Sequence, residues 1–190
     1  MPEPLTEVDV LRRQSLRAWE WFEDTVHDVT AEQANWWPPG TANSIGATYL
    51  HVVINADVEI NRFIHAREPL VEQWGGNIGQ PLPYDPERFD RWVRHGPVKW
   101  ELLRRYGRAV HASVAASLDG LTGAQLAMAV DMTRAGLGIW QGRDLFELHG
   151  SSHPNQHGGE IAVLKGLQGG IGHTESDAFR AAVEVVEYGG

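Results

Sequence analysis

The strongest constraint in this sequence is the spacing of its apolar residues, which follows the period of an α-helix in several long segments. Between about Pro4 and Asp28, apolar and small side chains recur at helical steps, and charged side chains occupy the opposite side. This pattern predicts an amphipathic helix that packs one stripe on a core. Thr6 and Asp9 have capping-box spacing, which marks the start of that helix. Val and Ile do not alternate with polar residues over any long stretch, so we expect no sheet.

Three further long helices are predicted by the same periodicity. The second covers about residues 44–65, with Ser44 as its N-cap, and is apolar on almost every side, so it should be the most buried helix. The third covers about 98–118 and should end in a left-handed cap at Gly120. The fourth covers about 143–167.

A long connection separates the second helix from the third. Residues 67–84 contain repeated Gly and Pro, so we expect an irregular segment there. Asp85-Pro86 is a helix-start signal, because an N-cap residue precedes a proline at the first helical position. Gly96-Pro97 should interrupt the resulting short helix.

These elements predict an all-α fold, a four-helix bundle with a long connection between the second and third helices. We expect one domain over residues 1–190, with its core in about 5–170 and a short C-terminal helix over 176–187.

The absence of cysteine among the 190 residues excludes several kinds of site. The chain has no disulfides, cysteine-ligated zinc, iron–sulfur cluster or cysteine nucleophile. A transition-metal site must therefore use imidazole, completed by carboxylate or water. If the protein carries out thiol chemistry, the thiol must arrive with a substrate.

Charge and hydropathy limit the partners of the protein. Lys and Arg number 16 against 25 Asp and Glu, a net charge of −9, which argues against nucleic-acid binding. No window approaches the roughly 18 apolar residues of a membrane helix. The first residues lack the pattern of a signal peptide, so we expect a cytoplasmic protein without a membrane partner.

Histidines are the candidate chemical groups. His149, His153 and His157 follow one another at four-residue intervals, so all three share one helix face. Two imidazoles one turn apart can bind the same ion, and a third ligand must then come from another helix, for which His51 is the best candidate. The spacing alone leaves both a metal site and ordinary core histidines open. The spacing argues against a zinc protease of the His-Glu-x-x-His kind, because Pro154 and Asn155 follow His153 where that motif needs its glutamate.

Two segments resemble the DinB-like superfamily. Residues 44–51, Ser-Ile-Gly-Ala-Thr-Tyr-Leu-His, resemble the start of its second helix. Residues 144–149, Asp-Leu-Phe-Glu-Leu-His, followed by 153–161, His-Pro-Asn-Gln-His-Gly-Gly-Glu-Ile, resemble its last bundle helix. The specific matches cover about thirty residues, and the order of helices extends the resemblance over about 5–170.

The resemblance implies a metal site and an assembly. One divalent metal ion per chain, zinc or nickel in a structure, would be held by His51, His153 and His157, and water or substrate would complete its shell. The family is often homodimeric. His149 is not carried over as a ligand and would sit one turn from the site.

The resemblance also implies a metal-dependent enzyme that acts on a small-molecule substrate. Relatives include transferases that use bacillithiol and a mycothiol-dependent maleylpyruvate isomerase, which suggests an S-transferase that uses a low-molecular-weight thiol. Metal-dependent hydrolysis is the first alternative. A non-catalytic, stress-related protein that binds a metal or ligand is the second.

Pro154 departs from the family pattern because it lies between two predicted ligands. Its ring would clash with the carbonyl of Gly150 and forfeit a backbone hydrogen bond. Either Gly150 helps the helix to absorb a kink, or the helix breaks and restarts with Ser152 as its cap.

Other residues have both a functional and a structural interpretation. Glu160 could orient a ligand's free N–H, or it could contact water. Asn55 could bind a water or substrate, or its amide could bond to the backbone. Four tryptophans in predicted loops could wall a substrate pocket or plug the ends of the bundle: Trp36, Trp37, Trp74 and Trp140.

Overall fold

A computed structural model describes residues 4–78, 97–133 and 136–173 of the chain, and these form mainly helices. The elements, in chain order, are α1 (Glu7–Thr25), α2 (Ala31–Asn35), α3 (Ile45–Val58), α4 (Val71–Ile78), α5 (Trp100–Asp119), α6 (Gly123–Ala127), β1 (Ala129–Asp131), β2 (Ile139–Gln141), α7 (Gly142–Glu147) and α8 (His153–Leu167). A first π-helix, Glu59–Ile64, continues α3, and a second, Leu148–Ser152, joins α7 to α8. The predicted all-α class is confirmed.

The long helices pack as a bundle in which α1 and α3 lie on one diagonal. Each of these two helices packs against both α5 and α8. Aromatic rings fill the space between them. Phe22 of α1 stacks on Tyr49 of α3 with 5.2 Å between ring centroids, and Trp100 of α5 meets the edge of Tyr49 at 5.4 Å. Burial of such rings contributes much of the stability of a core.

Local capping signals account for the starts of two long helices. The Thr6 hydroxyl accepts from the Asp9 N–H, and the Asp9 carboxylate accepts from the Thr6 N–H, so the predicted capping box is present. Ser44 caps α3 through the Ala47 N–H. The end of α5 differs from the prediction, because Gly120 has a φ of −98° and is not left-handed. The chain instead continues in a right-handed turn, in which the Leu121 N–H donates to the Leu118 carbonyl.

Part of the predicted irregular connection is helical, because a buried carboxylate from α3 caps it. Asp57 is fully buried, and its two oxygens accept from the backbone N–H groups of Leu70 and Val71 at 2.9 and 2.7 Å. These N–H groups lie at the start of α4, so the prediction of an irregular segment over 67–84 was wrong for Val71–Ile78. The predicted helix start at Asp85-Pro86 lies outside the described residues, as does the predicted helix over 176–187.

The expectation of no sheet was wrong for one small hairpin. β1 and β2 pair antiparallel, with Val130 opposite Trp140. Each strand has three residues, which is too short to show an alternating pattern in sequence.

Within the described residues, every helix is too short or too polar to cross a lipid bilayer.

Candidate metal centre

The packing of α3 against α8 brings together the three histidines that were predicted as metal ligands. His51 lies midway along α3, while His153 and His157 lie one turn apart at the start of α8. The Nε2 atoms of His51 and His153 are 3.1 Å apart. The ring centroids of His153 and His157 are 4.6 Å apart. One ring nitrogen from each histidine lies within 4.8 Å of the other two. This triad could hold a metal ion.

The spacing and chemistry of the triad fit a divalent transition metal. Two nitrogens that bind one tetrahedral zinc ion at about 2.0–2.1 Å lie about 3.4 Å from each other. The 3.1 Å between the Nε2 atoms of His51 and His153 is close to that value. Neutral imidazole is a ligand for zinc, copper, iron and nickel. The residues present therefore fit the group that the family resemblance implies.

The environment keeps His153 in the form that binds a metal. The residue is 8% exposed. Burial, followed by the nearby imidazoles of His149, His51 and His157, lowers the pKa of His153 to about 2. At neutral pH its ring is therefore uncharged and offers a nitrogen lone pair.

Two polar side chains contact the outer nitrogens of the triad. Glu160 places Oε2 2.7 Å from Nδ1 of His157, which leaves Nε2 of that ring for a metal. The amide of Asn55 lies 3.3 Å from Nδ1 of His51. A metal on Nε2 of His51 would require the proton on Nδ1, and a half-turn of the Asn55 amide would then supply the accepting oxygen. Glu160 thus has the orienting contact that the sequence suggested, and Asn55 contacts a histidine rather than the backbone.

The second π-helix accommodates Pro154 without a break between the two ligands. Ser152 keeps helical angles of −65° and −46° and makes no side-chain cap, so the predicted alternative of a break capped by Ser152 was wrong, although Pro154 does lie in the first turn of α8. The His153 N–H donates to the carbonyl of Leu148, five residues back. A π-helical turn is wider than an α-helical turn. It therefore relieves the contact between the Pro154 ring and the Gly150 carbonyl.

His149 lies beside the triad and is bound by a residue that the sequence analysis missed. Its Nε2 is 2.5 Å from Oε2 of Glu59, and its ring centroid is 5.4 Å from that of His153. A sequence signal for Glu59 did exist, because His51, Asn55 and Glu59 recur at four-residue steps along a mainly apolar segment. Such steps place side chains on one helix face.

Two cavities of about 540 and 710 Å³ flank α1, and residues other than the four tryptophans line both. Trp36, Trp74 and Trp140 pack against the core, and Trp37 is 39% exposed.

Comparison with known proteins assigns the fold. A crystal structure of the conserved protein of locus from Enterococcus faecalis superposes with a TM-score of 0.66 and 21% identity. The match covers 86% of this chain and 98% of that one, and at this identity it shows a shared fold alone. Among curated proteins, none matches this chain significantly. The model of the DinB superfamily matches residues 14–161, a span that contains all three histidines of the triad. With most of its length matched by that model, and with a helical bundle as its fold, the chain belongs to the DinB superfamily.

Proposed function

We propose that the protein is an enzyme that depends on one divalent metal ion, held by His51, His153 and His157. The observation that carries the proposal is the convergence of three imidazoles from two helices, with ring nitrogens within 4.8 Å of one another. Three protein ligands and an open position are typical of catalytic zinc, whereas structural sites use four protein ligands. A bound divalent ion supplies Lewis acidity, which lowers the pKa of a nucleophile beside it.

The residues around the triad have separate tasks in this proposal. His153 supplies a buried, neutral ligand, whereas His51 and His157 are partly exposed and border the space that a substrate would enter. Glu160 accepts the Nδ1 proton of His157 and so holds that ring with its Nε2 directed away from the carboxylate. The Asn55 amide would do the same for His51 after a half-turn, because its nitrogen now faces Nδ1 of His51 at 3.3 Å and its oxygen is the acceptor. These two contacts would orient His157 and His51 before a substrate binds.

We further propose that the nucleophile is a low-molecular-weight thiol and the reaction an S-transfer to a small electrophile. The chain has no cysteine, so the sulfur must come from a co-substrate. The sulfur lone pair forms the new bond to carbon, the leaving group departs with the bonding electrons, and the thiol proton passes to solvent. The family resemblance supports this class of reaction.

Metal analysis of the protein, prepared without a histidine tag, tests the triad. We expect about one metal ion per chain in the wild type and a large loss in His51→Ala, His153→Ala and His157→Ala. His27→Ala is the matched control, because that exposed histidine lies in the turn after α1 and bonds to the Asp24 carbonyl. Wild-type protein that binds neither zinc nor nickel would refute the proposal.

The reaction class is tested with the metal-loaded protein and a model electrophile. We expect the wild type and His27→Ala to catalyse the consumption of a low-molecular-weight thiol. His153→Ala should not catalyse it. Equal rates with wild type and His153→Ala would refute the S-transferase. Hydrolysis of the electrophile without thiol would favour a metal-dependent hydrolase. Tight metal binding without an exchangeable water ligand would favour a non-catalytic binding protein.

A further inference from the structure

A second polar pair links the two helices that carry the triad. Glu59 follows α3, and His149 precedes α8. Their side chains meet at 2.5 Å between Oε2 and Nε2, across 90 residues of sequence. His149 is 2% exposed, and the Glu59 side chain is 16% exposed. A hydrogen bond that joins a largely buried carboxylate to an imidazole is stronger than a bond between neutral groups.

Both members of the pair lie on π-helices. Glu59 is the first residue of the π-helix Glu59–Ile64, and His149 is the second residue of the π-helix Leu148–Ser152. A π-helical turn is rare, and it occurs frequently at functional sites. Here each π-helix carries one polar side chain of the pair, and the two side chains contact each other.

The backbone around His149 is held on the side of α1 as well. The indole N–H of Trp19 donates to the His149 carbonyl at 3.1 Å. Gly150 packs so closely on Ser15 that an added Cβ would overlap the Ser15 hydroxyl. The segment before His153 is therefore fixed by α1 from one side and by Glu59 from the other.

The pair contacts the triad through His153. The rings of His149 and His153 meet edge to face, with 5.4 Å between their centroids. The ring centroid of His153 in turn lies 4.8 Å from that of His51. Nδ1 of His153 is buried without a hydrogen-bond partner, so no acceptor of its own orients this ring. Its position therefore depends on its neighbours, unlike that of His157, which Glu160 holds directly.

We propose that Glu59 and His149 are positioning residues that set the distance and orientation of His153 relative to His51, and thereby the geometry of the metal centre. This inference rests on the proposed function, because it requires the triad to bind a metal. Loss of the pair should free the second π-helix to shift. The ring of His153 would then leave the position that the other two ligands require.

Cobalt(II) reports this geometry, because its visible absorption depends on the number and arrangement of its ligands. Metal-free wild type and Glu59→Ala are titrated with cobalt(II), and zinc affinity is measured by competition with a chelator. We expect Glu59→Ala to bind zinc about 10–100-fold more weakly, the range found for partners of metal ligands. Its cobalt spectrum should change in band position and intensity. Glu59→Gln, whose amide oxygen can still accept from His149, should keep most of the zinc affinity and a cobalt spectrum close to that of wild type.

The matched control removes a carboxylate that pairs at the far end of α8. Asp28 accepts from the buried Lys165 at 2.6 Å. Asp28→Ala should lower the melting temperature and leave the cobalt spectrum unchanged, with zinc affinity within about two-fold of wild type. If Glu59→Ala does not fold, Glu59→Leu/His149→Leu takes its place, because it leaves neither partner buried and unpaired.

Three outcomes would overturn the proposal. In the first, the variant without the pair has a wild-type cobalt spectrum and zinc affinity. In the second, Asp28→Ala changes both as much as Glu59→Ala does, so that general destabilisation explains the effect. In the third, wild type binds no metal, and the proposed function fails with this one. Metal binding by wild type with no effect of Glu59 overturns the positioning role alone.

Discussion

Replacing Asp57 with alanine should destabilise the protein more than any exposed carboxylate substitution. The fully buried Asp57 carboxylate accepts four hydrogen bonds, from the N–H groups of Leu70 and Val71, the Tyr106 hydroxyl and the Asn61 amide. Each donor left without a partner in a buried site costs about 1–3 kcal/mol. Removing the carboxylate also removes its own desolvation cost, which offsets part of this sum. We expect a net loss of at least about 3 kcal/mol.

Urea unfolding followed by circular dichroism measures this loss, with a chelator present so that metal binding does not contribute to stability. The melting temperature should fall by about 6–12 °C, since about 1 kcal/mol corresponds to about 2–4 °C in a chain of this size. Tyr106→Phe removes one bond of the four and should cost about 1.5–3 kcal/mol. Asp119→Ala is the control, because that side chain is 79% exposed. A loss below about 1 kcal/mol in Asp57→Ala, with an unchanged urea slope, would refute the reasoning.

Three further predictions concern other buried contacts. Burial lowers the pKa of His111 from 6.5 to about 4. Below pH 6.5 the unfolded chain therefore binds a proton on His111 that the folded protein does not bind. The free energy of unfolding should then fall as the pH is lowered from 6.5 to 4. Between about pH 7.5 and 4.5, wild type should lose about 2.5 kcal/mol more than His111→Gln in urea unfolding, and equal losses would contradict this. Gly150→Ala should lower the free energy of unfolding by about 1–3 kcal/mol, because its Cβ overlaps Ser15. The double variant Ser15→Ala/Gly150→Ala should recover most of this loss. A double variant no more stable than Gly150→Ala would exclude the overlap as the cause. Lys165→Met leaves the buried Thr25 carbonyl without the Nζ donor at 2.9 Å and should cost about 1–3 kcal/mol, whereas an unchanged melting temperature would show that this bond is replaced.

Short-range signals predicted the starts of two long helices, one of which carries His51. Thr6 and Asp9 are three residues apart and cap α1, and Ser44 caps α3 through Ala47. The apolar pattern of α3 predicted a helix buried on nearly every side, and all but two of its residues, His51 and Asn55, are buried. Such signals involve residues within one or two helical turns, so they can be read before the chain is folded.

The spacing of the histidines predicted two ligands of the triad but did not determine the third. His153 and His157 are one turn apart, so any α-helix places them on one face. Whether His51 reaches them depends on how α3 packs beside α8, because His51 and His153 are separated by 102 positions in sequence. The family resemblance supplied that pairing, and the structure brings the three ring nitrogens within 4.8 Å.

The sequence by itself therefore determined the helical class, the helix starts at Thr6 and Ser44, and one shared face for two of the three histidines. The tertiary structure alone decided the helix α4, which the buried Asp57 caps from 13 residues away, and the contact of Glu59 with His149 across 90 residues. It also decided how Pro154 fits, through a π-helical turn packed on α1. The physical reason is the distance along the sequence over which each kind of interaction acts. Periodicity and caps express energies within a few residues, whereas a buried carboxylate finds its donors only after distant helices have packed.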